Sequence, residues 1–159
     1  MKIEDLMRPD PCCCSRQDML NDATRIMWEQ DCGFVPVVEG GDGSNRLVGV
    51  ITDRDVCMAA YTTGKALGEI PVEAAMSKDI HACSPDSTIL AAEKTMREAQ
   101  VRRLPVVDAE GRVVGVLSLA DLAREVEREH VSGSRDVTDR ELGTTFEAIT
   151  RPREATPTA

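Results

Sequence analysis

The sequence predicts an α+β fold built from two copies of one β-α-β-β-α unit, packed with pseudo-two-fold symmetry. The first observation is an internal repeat: Met7 matches Met76 and Pro36 matches Pro105, in each case 69 residues later. The second is the alternation of helix-period and strand-like segments in both copies. A repeated supersecondary unit cannot bury its apolar face alone, so the two copies should share one globule with a ligand-sized seam between them.

The elements follow the same order in each half. An extended stretch comes first, and Asp18 or Ser84-Pro85-Asp86 then signals a helix start. Apolar residues recur at helical spacing after each signal, namely Leu20, Ala23 and Met27, and Ile89, Ala92, Met96 and Ala99. Two β runs and a second helix complete each unit, at 34–38, 47–51 and 53–60, and at 104–107, 113–117 and 119–128. The first hairpin has the longer turn, which is 40–45.

These patterns divide the chain into four segments. We assign residues 1–62 to the first repeat, 63–72 to a linker, 73–129 to the second repeat and 130–159 to a C-terminal tail. Within the tail, a 4 and 3 spacing predicts a short amphipathic helix that docks on the body or on a partner, through Leu142, Phe146 and Ile149. We expect the last ten residues to be disordered.

The composition limits the function classes. The chain has 159 residues, a formal net charge of −9 and only 3% aromatic residues. This acidity argues against nucleic-acid and anionic-membrane partners, and the core must be aliphatic. No apolar run is long enough to span a membrane and no signal-peptide pattern opens the chain, so we expect a cytoplasmic protein.

The six cysteines do not predict a metal or disulfide site. Cys12, Cys13 and Cys14 are consecutive, so in an extended segment their side chains point to alternate faces. Cys32, Cys57 and Cys83 stand alone, with no CxxC spacing and no ordered histidine partner nearby. We interpret them as small buried residues or unreactive surface thiols, with a structural zinc or a Cys-His nucleophile as the alternative.

Two segments, 49–55 and 115–121, carry residues that could bind a ligand. Each reads Gly, two β-formers, a hydroxyl residue, two variable residues and Asp, at a strand-to-helix junction. A helix start offers N–H groups and a positive dipole end to a phosphate, and a hydroxyl adds one donor. An Asp one turn later can accept hydrogen bonds from a ribose, and the glycine allows the strand to approach a flat ring closely.

A purely structural interpretation of these segments also stands. Thr52 with Asp55, and Ser118 with Asp121, fit a helix capping box in which each side chain satisfies a backbone donor. The repetition of the element does not decide between cap and ligand site, since a repeated helix needs a repeated cap.

From about Met1 to Arg128 the chain resembles a tandem pair of cystathionine-β-synthase (CBS) domains, also called a Bateman module. The resemblance rests on the Met openings at Met7 and Met76, the Pro-Val-Val strands and the two Gly-h-h-[Thr/Ser]-x-x-Asp segments. It implies a non-enzymatic regulatory module that binds AMP, ADP, ATP or S-adenosylmethionine between the repeats. It also implies that the hydroxyl of Thr52 or Ser118 contacts phosphate and that Asp55 or Asp121 contacts ribose.

Two arginines distinguish the copies. Arg102 and Arg103 precede the Leu104-Pro105 strand, where paired guanidinium groups suit a phosphate, whereas the first copy has Gly33 and Phe34. The alternative is an exposed strand start with solvated charges, and Arg54 could substitute in the first copy. We therefore expect the Ser118 side to hold a nucleotide more tightly, and the Thr52 side to be weak, empty or suited to a less anionic adenosyl ligand. Trp28 occupies the place of Arg97, where surface or interface packing is favoured over base stacking.

Three functions remain open from the sequence. The first is ligand sensing without a catalytic cofactor, with output to a separate effector protein. The second is a structural or interaction module of the same fold that binds no nucleotide. The third is an enzyme, for which no paired acid/base or Cys/His constellation is present. The resemblance implies a homodimer in which two modules pair through the last helix of each repeat, through Val56, Cys57, Ala59, Ala60, Leu122, Ala123 and Val126.

Overall fold

The described residues form two three-stranded sheets flanked by helices, which confirms the predicted α+β class. The computed structural model describes residues 1–39, 45–132 and 138–152. The strands are β1 (Arg8–Pro9), β2 (Cys14–Ser15), β3 (Phe34–Glu39), β4 (Arg46–Thr52), β5 (Arg103–Val107) and β6 (Val113–Ser118). The helices are α1 (Leu20–Glu29), α2 (Asp53–Thr63), α3 (Ile89–Ala99), α4 (Leu119–Ser132) and α5 (Asp139–Thr150). Most of the longer turn predicted at 40–45 lies outside the described residues.

The first helix of each repeat has the amphipathic pattern that the spacing predicted. In α1, Leu20, Ala23 and Met27 are buried, and in α3 their counterparts Ile89, Ala92 and Met96 are buried. Each set packs on its own hairpin, β3–β4 or β5–β6, so that each repeat has its own aliphatic core. The apolar stripe therefore fixes which side of each helix faces its sheet.

The two repeats exchange their opening segments. Strand β1, which begins the first repeat, pairs antiparallel with β6 of the second, with Arg8 opposite Val116. In the reciprocal contact, Ser77 pairs with Val50 of β4. The next piece of each segment returns to its own repeat, where Cys14 lies parallel to Val37 and Cys83 to Val106. The β1–β6–β5 sheet thus contains strands of both repeats, and Ser77 adds a single bridge to the sheet of the first repeat, so backbone pairing links the halves in both directions.

The exchange explains the glycine of each Gly-h-h-[Thr/Ser]-x-x-Asp segment. A Cβ at Gly49 would lie 2.7 Å from the sulfur of Met76 and 3.0 Å from the carbonyl oxygen of Ser77. A Cβ at Gly115 would overlap the sulfur of Met7 in the same way. The sequence interpretation, in which glycine makes room for a flat ring, is therefore wrong for the space on this side of the strand. That space is filled by a methionine from the other repeat.

The C-terminal tail contains a docked helix. Leu142 and Ile149 of α5 pack against the core of the second repeat, as the spacing predicted, but Phe146 is 57% exposed. Thr145 faces inward instead and is fully buried. The polar groups that α5 meets on α3 favour a hydroxyl at this position, and apolar spacing alone could not indicate that. The disorder expected for the last ten residues concerns mainly 153–159, which lie outside the described residues.

Candidate functional site

The two strand–helix junctions form matching helix caps. Thr52 Oγ1 accepts the Asp55 N–H at 3.2 Å, and Asp55 Oδ2 accepts the Thr52 N–H at 2.9 Å and its hydroxyl at 2.6 Å. Ser118 Oγ accepts the Asp121 N–H at 3.3 Å, while Asp121 Oδ2 accepts the Ser118 N–H at 2.8 Å. Both carboxylates therefore act as caps, and any ribose contact must share or replace these bonds.

Asp121 differs from Asp55 in its charged surroundings. Only 6% of the Asp121 side chain is exposed, and its Oδ1 accepts a hydrogen bond from Arg124. The guanidinium of Arg8, from the exchanged strand β1, lies 3.6 Å from the same oxygen. The positions equivalent to Arg124 and Arg8 in the other copy are Met58 and Ser77. The second junction is consequently the more cationic of the two.

The first turns of α2 and α4 differ by one carboxylate. Asp53 begins α2, its N–H donates to the Gly33 carbonyl at 3.4 Å, and its own Oδ1 accepts the Arg54 N–H at 2.8 Å. Leu119 begins α4 and donates to the Arg102 carbonyl at 2.9 Å. A negative charge already neutralises the positive end of α2, whereas an apolar residue stands at the equivalent place in α4. The start of α2 is therefore less favourable to a phosphate.

An open cleft lies where the two repeats meet. Its volume is about 700 Å³ and it is lined by Met27, Trp28, Asp31, Cys32, Gly33, Asp53 and Arg103. All but Arg103 belong to the first repeat, although Arg103 lies opposite Ser118 in the β5–β6 ladder. Arg103 thus stands between the two junctions rather than within the Ser118 side alone.

The guanidinium of Arg103 has no ion pair or hydrogen bond with any residue that the structure describes. Arg102 beside it is exposed, and its backbone carbonyl accepts the Leu119 N–H. Against Arg103 the cleft presents the carboxylates of Asp31 and Asp53, and Trp28 is 87% exposed at its edge. This charge balance suits a ligand with both cationic and anionic groups better than a strongly anionic one.

Sequence reasoning missed several of these neighbours. Arg124 follows Asp121 by three residues, so helical spacing could have identified it. Arg8 reaches Asp121 only because the opening segments are exchanged, and Asp31 and Asp53 reach the cleft through the tertiary fold. No local signal in the sequence indicates these contacts.

All six cysteines are free thiols. Burial raises the pKa of Cys13 to about 11, of Cys14 to about 12 and of Cys83 to about 11, so these three are protonated at neutral pH. Across the described ranges, no three His, Cys, Asp or Glu side chains come together in a way that could hold a metal ion. None of the described helices has the length and apolar character needed to cross a membrane.

Comparison with known proteins identifies the family. The model of the CBS domain matches residues 3–61 and again 68–128. The CBS domain-containing protein YhcV of Bacillus subtilis is 32% identical over 121 residues, which are 76% of this chain and 82% of that protein. This chain spans 59% or less of several other curated relatives.

Solved structures agree on the fold. The CBS domain pair of protein MJ0100, in complex with 5′-methylthioadenosine and S-adenosyl-L-methionine, superposes with a TM-score of 0.71 at 22% identity, covering 81% of this chain and 98% of that one. The structure of CBSX2 in complex with AMP gives a TM-score of 0.67 at 24% identity, with coverage of 81% and 98%. The two family matches, the exchanged pair of repeats and these superpositions agree: the chain belongs to the CBS domain family and carries a tandem pair of CBS domains.

Proposed function

We propose that this chain is a non-enzymatic regulatory module that binds an adenosyl ligand between its two CBS repeats. The observation that carries the proposal is Arg103, a half-exposed guanidinium in the cleft between the repeats whose described surroundings contain no partner for it. Such a group is available for a phosphate or carboxylate of a ligand. The AMP and S-adenosylmethionine complexes of proteins with this fold support the same ligand class.

The two sides of the seam have different proposed ligands. On the second side Ser118 and Arg102 bind phosphate together with Arg103, which lies opposite Ser118 in the β5–β6 ladder, because Arg8 and Arg124 add positive charge there. Asp121 binds ribose on the same side. On the first side Thr52 and Asp55 bind a less anionic adenosyl ligand, such as S-adenosylmethionine. The carboxylates of Asp31 and Asp53 would repel a nucleotide phosphate but attract a sulfonium and an ammonium group.

Calorimetric titration with AMP tests this assignment. Arg103→Ala should abolish the tight, phosphate-dependent phase, and Asp55→Ala should leave it nearly intact. Adenosine is the control ligand, since it lacks the phosphate and should bind the wild type more weakly than AMP does. The reverse pattern, with Asp55→Ala abolishing the tight phase, would mean that the principal nucleotide site lies in the first repeat.

A second candidate is a structural module in which both Asp residues only cap helices, and the complete capping boxes favour it. A thermal-shift titration separates the two candidates, because a ligand that binds the native state raises its melting temperature. Under the structural alternative, AMP, ATP and S-adenosylmethionine all leave the melting temperature unchanged up to millimolar concentration.

We further propose a homodimer, but its interface should differ from the one expected. Leu122 and Val126 on α4 are buried within the chain, so the second repeat offers little apolar surface there. The first repeat leaves Trp28, Met58 and Tyr61 at 87%, 47% and 82% exposure, and Cys57 is also exposed. The dimer would therefore pair through α1 and α2, and light scattering should give twice the chain mass even in high salt. Tyr61→Glu should shift this mass to the monomer.

The remaining assignments also stand as proposals. The units are 1–62, 63–72, 73–129 and 130–159, and the output passes to a separate effector protein. Free thiols at all six cysteines support a reducing compartment such as the cytoplasm.

A further inference from the structure

Helix α5 packs on a set of residues in the second repeat. The equivalent residues of the first repeat line the open cleft. Trp28 and Asp31 line that cleft, and the equivalent residues of the second repeat are Arg97 and Gln100. Both are engaged by α5. Arg97 Nη1 donates to Thr145 Oγ1 at 2.8 Å, and Gln100 Nε2 donates to the carbonyl of Ala148 at 3.3 Å.

The apolar counterparts are covered as well. Met27, Cys32 and Asp53 of the cleft correspond to Met96, Val101 and Leu119. These three lie in the apolar cluster that also contains Leu142 and Ile149 of α5. Most of the first-repeat residues that line the open cleft therefore have a second-repeat counterpart that hydrogen-bonds to α5 or lies in the same apolar cluster as α5.

The contact between α5 and α3 has a buried polar centre. Thr145 is fully buried; its hydroxyl accepts the bond from Arg97 and donates to Glu93 Oε1 at 3.3 Å. Glu93 is itself only 1% exposed. A polar centre of this kind binds one helix in one register, but it costs more to desolvate than an apolar contact. Loss of one partner in this centre would therefore weaken the docking of α5.

We propose that α5 closes the second cleft, which is the space beside Ser118 and Asp121 that corresponds to the open cleft of the first repeat. AMP binds there only when α5 has left its place against α3 and α4. This inference rests on the proposed function. The open first cleft takes its ligand without rearrangement. In the second, the apparent affinity is the intrinsic affinity reduced by the fraction of molecules in which α5 is released. AMP binding therefore exposes the apolar face of α5 and the apolar surface of α3 and α4 beneath it. An effector protein could recognise this newly exposed surface.

Three substitutions in α5 test the proposal, with AMP as the probe in calorimetry. Thr145→Val keeps the shape but leaves Arg97 and Glu93 without their partner, so it should release α5 and raise the apparent AMP affinity about tenfold. Thr144→Val is the matched control, because that hydroxyl is exposed and bonds only to the Arg140 carbonyl of its own helix. It should leave the affinity unchanged.

The third substitution acts in the opposite direction. Gly143 is an exposed residue inside α5, and a Cβ there would meet nothing within 4 Å. Gly143→Ala should stabilise the helix and lower the apparent AMP affinity about twofold to fivefold. Because this variant strengthens the fold, the proposal remains testable even if Thr145→Val folds poorly.

Hydrogen exchange of peptides covering 139–150 supplies the second measurement. Saturating AMP should increase amide exchange in α5 of the wild type. Equal AMP affinity in wild type, Thr145→Val and Gly143→Ala would overturn the closure by α5 while leaving the proposed function intact. Increased protection of α5 on AMP binding would overturn it as well. No AMP binding by any of these proteins would refute the assignment of AMP to the second side and this inference together.

Discussion

The α1–α2 face of the first repeat and the α3–α4 face of the second occupy equivalent places in the fold, yet only the second is covered. Trp28 is 87% exposed on the first face, while its counterpart Arg97 hydrogen-bonds to Thr145 of α5. Thr24 on the first face is half-buried and its hydroxyl returns to its own helix, whereas its counterpart Glu93 is buried under α5. The repeated fold thus presents one face to solvent or a partner and closes the other.

The contacts that the exchanged opening segments make do not differ in this way, because each repeat receives the same contact from the other. Met76 fills the space at Gly49 and Met7 fills the space at Gly115. The seam between the halves therefore follows the internal symmetry, whereas the helical faces do not. Four measurements test this contrast.

The largest effect is expected at the crossing glycines. Gly49→Ala and Gly115→Ala should each lower the free energy of unfolding by about 1–3 kcal/mol, because the new methyl group forces a methionine and a neighbouring backbone apart. Urea denaturation measures this, with Gly143→Ala as a control whose methyl group meets open space. If either crossing variant behaves like the control, the repeats are not held together by these contacts.

The next effect concerns the two capping carboxylates. Asp121→Ala should weaken AMP binding by roughly tenfold to a hundredfold, since hydrogen bonds to a charged group are worth about 1.5–3 kcal/mol. Asp55→Ala should change it much less. Asp121→Asn keeps a capping side chain and loses the charge, so wild-type AMP affinity in that variant would disprove the ribose role. Melting temperatures of all three variants correct for the lost caps.

A smaller effect separates the covered face from the open one. Ile149→Ala should cost about 1–2 kcal/mol of unfolding free energy, because the side chain is half-buried against the second core. Trp28→Ala should change the stability of the monomer by less than about 0.5 kcal/mol, since that ring is almost fully exposed. Denaturation at low protein concentration measures both variants. Equal costs would mean that both faces are covered in solution.

The smallest effect is a pH dependence of the α5 contact. Burial, and then the negative charge of Glu141, raise the pKa of Glu93 above its ordinary value of 4.5, although Arg97 and the Thr145 bond act against this shift. The folded state therefore favours protonated Glu93. Its contribution is fully present below pH 4.5 and is lost as the pH rises through the raised pKa. Glu93→Gln should flatten this slope in pH-dependent urea denaturation. An unchanged slope would show that Glu93 does not titrate in the contact.

Much of the fold could be predicted from local sequence. The helix-period spacing of Leu20, Ala23 and Met27, and the β runs around Pro36 and Pro105, correspond to the helices and hairpins of the structure. The hydroxyl-x-x-Asp segments were placed at the correct strand–helix junctions. Their local hydrogen bonds follow from a separation of three residues, which the sequence displays directly.

The charge environment of the candidate site could not be predicted in the same way. Arg8 reaches Asp121 from more than one hundred positions earlier in the chain, and Asp53 lines the cleft together with Asp31 only through the tertiary fold. Phe146 was expected to face inward, and Thr145 does so because its hydroxyl meets Arg97 and Glu93, about fifty residues away.

The linear sequence is enough to predict the repeat, the element order, the amphipathic faces and the two capped junctions. These depend on periodicity and on interactions within a few residues, which a linear pattern contains. Three further features depend on the tertiary structure: the opening segments cross between the repeats, Arg103 lies in the cleft where the repeats meet, and α5 covers one of two equivalent faces. Those choices depend on contacts between distant residues, where shape and hydrogen-bond partners in space decide which of several apolar surfaces a segment buries.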